Sequence, residues 1–193
     1  DAVSSGEIAE AAKVLAGWPG MATLRANSER AMLKENVGPR VALAAFGNTK
    51  PQTIQGAIIL ARSHAALGNH QAARAVLSPF WRTARLEASE EQAIIREFGK
   101  IIPTAEHRFR MERMLYSDRL ASADRVAGLA GARELAKAFA AVTRNEKNAN
   151  SLLNAVPKAQ RGAAYLFAQS RYLRRNEKHR EAAAVMLKAP KDA

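Results

Sequence analysis

Apolar residues recur along this chain at three- and four-residue intervals, with polar residues between them. That spacing gathers apolar side chains on one face of an α-helix, and the alternating Val/Ile/Thr runs of half-buried strands are missing. The first predicted helix covers 4–16, capped by Ser4 or Ser5, with Ile8, Ala11, Ala12 and Leu15 sharing a face. Gly17-Trp18-Pro19-Gly20 ends it. A second helix over 20–34 carries Leu24, Ser28, Ala31 and Met32; Gly38-Pro39 breaks it, and a short helix at 39–46 leads to the loop Gly47-Asn48-Thr49-Lys50-Pro51. Segment 53–67 is apolar on nearly all sides, which predicts a helix covered on more than one face. After the turn Gly68-Asn69, a helix over 70–83 holds Ala73, Val76, Leu77, Phe80 and Trp81, and Pro79 predicts a kink or an early stop near Leu77.

Ser89-Glu90-Glu91-Gln92 has the form of a capping box, so the next helix is expected from 90 to about Ile101. Pro103-Thr104 opens a helix over 105–117, and Ser122 or Ala123 opens a short one delimited by Gly128 and Gly131. Helix 132–146 has Leu135, Phe139 and Val142 on one face; a short helix from Asn148 to Asn154 stops before Pro157, and helices 162–175 and 178–188 follow. About eleven short helices joined by tight turns predict an all-α protein, a tetratricopeptide-like α-solenoid of stacked helical hairpins with residues 1–193 as a single superhelix. A loose internal echo agrees: Ala61-Arg62-Ser63, Leu67-Gly68-Asn69, Ala72-Ala73 and Val76-Leu77 resemble Ala168-Gln169-Ser170, Leu173, Asn176, Ala182-Ala183 and Met186-Leu187. The full tetratricopeptide signature is lacking. Lys188-Ala189-Pro190-Lys191-Asp192 reads as a linker, so a fragment of a longer solenoid is expected.

Composition adds two constraints. Forty-two of the 193 residues are alanine, which suits helix axes that approach closely. Cysteine is absent, which excludes a disulfide scaffold, a zinc finger, an iron–sulfur site and a thiol nucleophile. No apolar run reaches the roughly 18–20 residues of a membrane span. The chain starts Asp1-Ala2-Val3 without an initiator Met, which suggests a removed leader or a cloning boundary.

Charge is uneven. Thirty Lys and Arg against 18 Asp and Glu give +12, and +9 of this falls in residues 104–193. A basic half suggests an anionic partner, though a solvated helical surface has the same composition.

Catalytic patterns are missing. His64, His70, His107 and His179 lie in different segments, read as ordinary surface or turn residues, and form no metal-binding pair. There is no nucleophile elbow and no phosphate-binding loop. Glu106 with Arg110, and Arg108 with Glu112, are spaced as exposed helix ion pairs rather than as a buried acid. No cofactor or metal is expected, and no residue is assigned a catalytic role.

The densest unusual stretch runs from His107 to Arg119. Met111, Met114 and Leu115 form an apolar face, with Arg110 and Arg113 together on another; Arg119 and Arg125 extend the positive stripe. Tyr165, Arg171, Tyr172, Arg174 and Arg175 make a second basic and aromatic patch. One reading is a surface for an anionic polymer, with Arg forks on carboxylates and Tyr rings against sugars or bases. The other puts Tyr116 and Tyr172 in the core and lays the Arg stems over alanine-rich surface. Aromatic residues at helical spacing favour the second.

The stretch Arg108-Phe109-Arg110-Met111-Glu112-Arg113-Met114-Leu115-Tyr116-Ser117-Asp118-Arg119, with Ala123-Asp124-Arg125-Val126-Ala127-Gly128-Leu129-Ala130, resembles the N-terminal superhelical region of large soluble lytic transglycosylases of the alphaproteobacterial type. Leu15-Ala16-Gly17-Trp18-Pro19-Gly20, Ala75-Val76-Leu77-Ser78-Pro79-Phe80-Trp81-Arg82, Glu97-Phe98-Gly99 and Tyr165-Leu166-Phe167-Ala168 with Tyr172-Leu173-Arg174-Arg175 are similar in the same order. The resemblance implies a periplasmic protein of peptidoglycan (murein) turnover, a lyase acting on the MurNAc–GlcNAc bond. Its catalytic glutamate would sit in a separate lysozyme-like domain. The family's Glu-Ser pair and Gly-Leu-Met-Gln motif are absent here, since Glu29 is followed by Arg30 and Gly20-Met21-Ala22 does not match. The chain alone is therefore expected to be inactive, and to bind or position the glycan strand through Arg108, Arg110, Arg113, Arg119, Arg125, Arg171, Tyr172 and Arg175. A helical-repeat scaffold for proteins and a nucleic-acid-binding module remain open alternatives.

Overall fold

The structure, a computed structural model, describes residues 3–15 and 19–190, with the side chains of residues 12 and 13 left aside. Trp18, the reading of Gly17 and Trp18 as a helix stop, the place of Ala12 on its helix face, and the end of the linker at Lys191 and Asp192 lie outside the described residues. Among those residues the chain is all-helical, with twelve α-helices, one short 3-10 turn and no strand. The chain divides into two compact units, residues 1–102 and 103–193.

The first unit contains α1 (Ser5–Val14), α2 (Met21–Glu35), α3 (Pro39–Phe46), α4 (Ile54–Ala66), α5 (His70–Thr83) and α6 (Ala88–Phe98). Helix α4 packs against α2, α3 and α5. This is why its sequence is apolar on several sides: Ala57, Ile59, Leu60 and Ala61 are all buried. Met32, Ala42, Phe46, Ile59 and Leu60 form one core cluster. Arg62 ties α4 to α6 through a fork on Glu97, at 2.6 and 2.8 Å, and reaches Asn36 after α2 at 3.1 Å. That fork raises the Arg62 pKa further, chiefly through the Glu97 hydrogen bond.

Helix α5 runs unbroken through Pro79, contrary to the expected stop. The ring removes one N–H, whose acceptor would be the carbonyl of exposed Ala75. The last turn survives because Trp81 is completely buried and Ala84 N–H still reaches the Phe80 carbonyl at 2.8 Å. The α6 capping box is also shifted: it joins Glu87 and Glu90 rather than Ser89 and Gln92, and the helix runs from Ala88 to Phe98.

Helix α1 is held at its start by carboxylates. Ser4 and Glu7 make a reciprocal capping box, and Glu35 of α2 accepts the Ser5 N–H at 2.7 Å and the Ser5 hydroxyl. The Ser4 backbone and hydroxyl hold Glu7 below its ordinary 4.5, and the Ser5 hydroxyl and backbone do the same for Glu35. Lowered folded pKa values stabilise α1 fully above the unfolded range, and the contribution is lost as pH falls through the lowered values. Amide protection factors are therefore expected to fall at Ser5–Ile8 before the centre of α4 as pH drops below 4.5. Simultaneous loss at both places would refute the assignment.

The second unit contains α7 (Thr104–Tyr116), α8 (Leu120–Ala127), α9 (Arg133–Arg144), α10 (Ala149–Ala155), α11 (Ala163–Arg175) and α12 (His179–Met186). They pair as hairpins α7–α8, α9–α10 and α11–α12, and the first helices α7, α9 and α11 touch one another. Helix α8 starts at Leu120, two residues before the earliest start expected from Ser122.

Three of the turns closed through a left-handed residue also share the residues that follow. Gly68, Asp118 and Glu177 have φ of 78°, 54° and 61°. The next residue in each, Asn69, Arg119 or Lys178, sends its N–H to a carbonyl five residues back, at 2.9, 2.9 and 3.0 Å. These Schellman-type closures satisfy the ends of α4, α7 and α11. Counting from the left-handed residue, an alanine (Ala73, Ala123 or Ala182) comes five positions later and is buried in every case. A valine (Val76, Val126 or Val185) follows three positions after that. The small residue lets the second helix approach the first.

Candidate functional site

The first helices of the second unit carry a connected aromatic face. Tyr116 on α7 and Phe167 on α11 meet edge to face with ring centroids 5.5 Å apart, and Phe139 of α9 lies beneath them at 6.1 and 5.9 Å. Phe139 is buried, whereas Tyr116 is 45% exposed and Phe167 37% exposed. The rings are therefore anchored from below and open above. Tyr116 is not a core residue, which corrects the expectation from helical spacing. Partial burial raises its pKa, Glu112 adds to the rise and Arg108 opposes it.

Charged pairs frame the rings. On α7, Arg108 pairs with Glu112 and also donates to the Gln160 carbonyl at 3.3 Å. Gln160 in turn accepts from the Leu135 N–H at 3.2 Å and donates to Glu134 at 3.0 Å, fixing the start of α9 and holding Glu134 below its ordinary pKa. At the other end, one turn beyond Phe167, Arg171 reaches Asp118 at 3.2 Å and the Thr143 hydroxyl at 3.3 Å. The face thus has two exposed rings between two guanidinium–carboxylate pairs, suited to a ligand with flat apolar surfaces and polar substituents.

The other predicted residues are dispersed. Arg110 is completely buried on α7 with His107, Met111 and Met114, so it is not part of an exposed stripe with Arg113, and any pairing with Glu106 is buried at the arginine end. His107 is likewise buried rather than a surface histidine. Arg113 is exposed. Arg175 donates to the Val142 and Thr143 carbonyls, where a cation complements the C-terminal end of α9. Tyr172 is half-buried and lines a small cleft of about 280 Å³ with Asn150, Asn154, Tyr165 and Gln169. Arg119 and Arg125 line a different depression together with Arg144.

Two fully buried glutamates, Glu29 and Glu91, escape sequence reasoning. Glu29 borders a mainly apolar cleft of about 710 Å³ in the first unit. It accepts the N–H groups of Gln52 (2.9 Å) and Thr53 (2.8 Å) and the Thr53 hydroxyl (2.7 Å), with Arg25 at 3.6 Å. Its oxygens are committed to the start of α4, which it clamps to α2. Among the described residues no group of three or more His, Asp or Glu is placed to hold a metal ion, and no helix is long and apolar enough to cross a membrane.

Comparison with protein-family models, curated proteins and solved structures finds no match to this chain.

Proposed function

We propose that the chain is the superhelical region of a periplasmic soluble lytic transglycosylase and that it holds peptidoglycan strands for cleavage by a separate lysozyme-like domain. The observation that carries this reading is the pair of half-exposed rings, Tyr116 and Phe167, set between the Arg108–Glu112 and Arg171–Asp118 pairs. Sugar rings present flat C–H faces to aromatic rings, and stem-peptide carboxylates complement the +9 of residues 104–193. The ordered resemblance along the sequence supports the same assignment. On this reading the chain alone has no lyase activity.

Co-sedimentation with purified sacculi tests the proposal. Binding is expected at low salt, weakening as exposed charges are screened beyond about 8–10 Å. The double variant Tyr116→Ala/Phe167→Ala is expected to lower affinity about tenfold, on the order of 0.5–1.5 kcal/mol for each ring contact. Failure to sediment with sacculi at low salt overturns the reading, as does DNA binding of equal or greater strength.

A further inference from the structure

The cleft of about 280 Å³ in the second unit lies along α11, between α10 and the start of α12. Tyr165, Gln169 and Tyr172 stand at i, i+4 and i+7 on α11, so they share one face of that helix. Asn150 and Asn154 stand one turn apart on α10, which packs against α11. Only Leu153 and Leu173 of the lining residues are apolar. A helix face turned toward a neighbouring helix is ordinarily apolar, so packing alone does not call for this polar row. The side chains of Asn150, Asn154 and Gln169 make no hydrogen bond to a described residue.

Tyr165 is the fixed point of the cleft. It is 5% exposed, and the Arg161 guanidinium lies over its ring at 5.2 Å. Arg161 is itself locked by carbonyls at the end of α10, Val156 at 2.8 Å and Asn154 at 2.9 Å. The Tyr165 hydroxyl has no hydrogen-bond partner among the described residues, yet it is not one of the polar atoms sealed from solvent. A side chain so nearly covered that also lines the cleft therefore presents its hydroxyl there. The charged residues at the rim, Lys178 and Glu181, stand 3.7 Å apart and offset each other.

We infer that this cleft binds a neutral, hydroxyl-rich ligand, a single sugar unit. Carboxamides and phenols both donate and accept, as neighbouring sugar hydroxyls do, and a lining without net charge does not select an ion. The volume lies at the lower end of ligand pockets, roughly 300–1,000 Å³, which suits one ring rather than a polymer. The inference stands on the lining of the cleft and is independent of the peptidoglycan reading, whose contact rings are Tyr116 and Phe167.

NMR titration of the whole chain with glucose, with N-acetylglucosamine and, as a peptide-like amide, with N-acetylglycinamide tests it. Saturable shifts with at least one sugar are expected at the side-chain amides of Asn150, Asn154 and Gln169 and at the backbone of Tyr165 and Tyr172. Tyr165→Phe keeps the ring beneath Arg161 and removes only the hydroxyl. It is expected to weaken sugar binding about threefold to tenfold, the loss of one hydrogen bond. Its thermal midpoint should not fall, because no hydrogen bond within the protein is lost. Gln169→Ala should weaken binding to a similar degree. A lower midpoint for Tyr165→Phe with unchanged sugar affinity would assign the hydroxyl to the fold and overturn the site. Unsaturable shifts spread over the chain would also overturn it, as would tighter binding of N-acetylglycinamide, which would assign a peptide ligand. Sacculus sedimentation separates the two proposals. Sugar binding here without sedimentation sinks only the peptidoglycan reading, and sedimentation without sugar binding here sinks only this site.

Discussion

Gly56→Ala is expected to destabilise the protein by about 3 kcal/mol or more, although alanine is ordinarily the better helix former by roughly 1 kcal/mol. Gly56 lies in the first turn of α4, where its N–H donates to the Thr53 hydroxyl oxygen at 2.9 Å. A Cβ added there would fall on the Glu29 carboxylate, too close for any real contact. Glu29 has little room to withdraw. It is wholly buried and engaged by the Gln52 and Thr53 N–H groups and the Thr53 hydroxyl. Moving it would strand those donors. Glu29→Ala alone is expected to cost about 2–4 kcal/mol for the same lost hydrogen bonds. The double variant gives the sharper test. Once Glu29 is truncated, the space beside residue 56 is open, so Gly56→Ala should become neutral or stabilising by up to about 1 kcal/mol. Urea midpoints of the four proteins complete the cycle, and simple additivity of the two losses would disprove the steric coupling.

That clamp also marks a boundary of sequence reasoning. The helices were legible because each repeats its apolar residues at helical spacing, and Leu135, Phe139 and Val142 of α9 are buried as that pattern requires. Glu29 was not legible, because its partners lie 23 and 24 residues away in the turn before α4. No local spacing announces such a contact. The hairpin repeat was only half visible for a different reason. A left-handed φ can be occupied by glycine, aspartate or glutamate, and the three equivalent turns use one of each. Aligned on residue identity, the echo pairs Ala61 with Ala168; aligned on the turn, Ala73, Ala123 and Ala182 fall together.

Arg110 shows the opposite case, in which a signal was present and outweighed. It sits three residues after His107 and four before Met114, in the middle of the buried face of α7. Periodicity places it inside, but its charge suggested the surface. The candidate site was legible in part. Arg108 and Arg171 frame the rings as surface residues, while Phe139 was expected as core and Phe167 entered only as part of a family-like segment. Their meeting with Tyr116 depends on α7, α9 and α11 touching, which only the tertiary packing supplies.

Phe139→Ala is expected to cost about 3–5 kcal/mol, since the ring is almost completely buried and its removal leaves a cavity. Tyr116→Ala and Phe167→Ala remove rings that are 45% and 37% exposed and are expected to cost only about 1 kcal/mol each. Binding should rank the three differently. Tyr116 and Phe167 offer the surfaces a sugar or other flat ligand would touch, whereas Phe139 acts only by holding them, stacked under Phe167 at 5.9 Å. Phe139→Leu keeps most of the volume and should restore much of the stability. It loses the flat floor that sets the Tyr116–Phe167 geometry, so sacculus affinity should fall even in the folded variant. Thermal midpoints and sedimentation, measured together, separate the roles: low stability from Phe139→Ala and low affinity from Tyr116→Ala. Equal stability losses at all three positions would mean that the face is simply an edge of the core. A site built for recognition leaves its contact rings replaceable at little cost to the fold, and that difference is what the comparison measures.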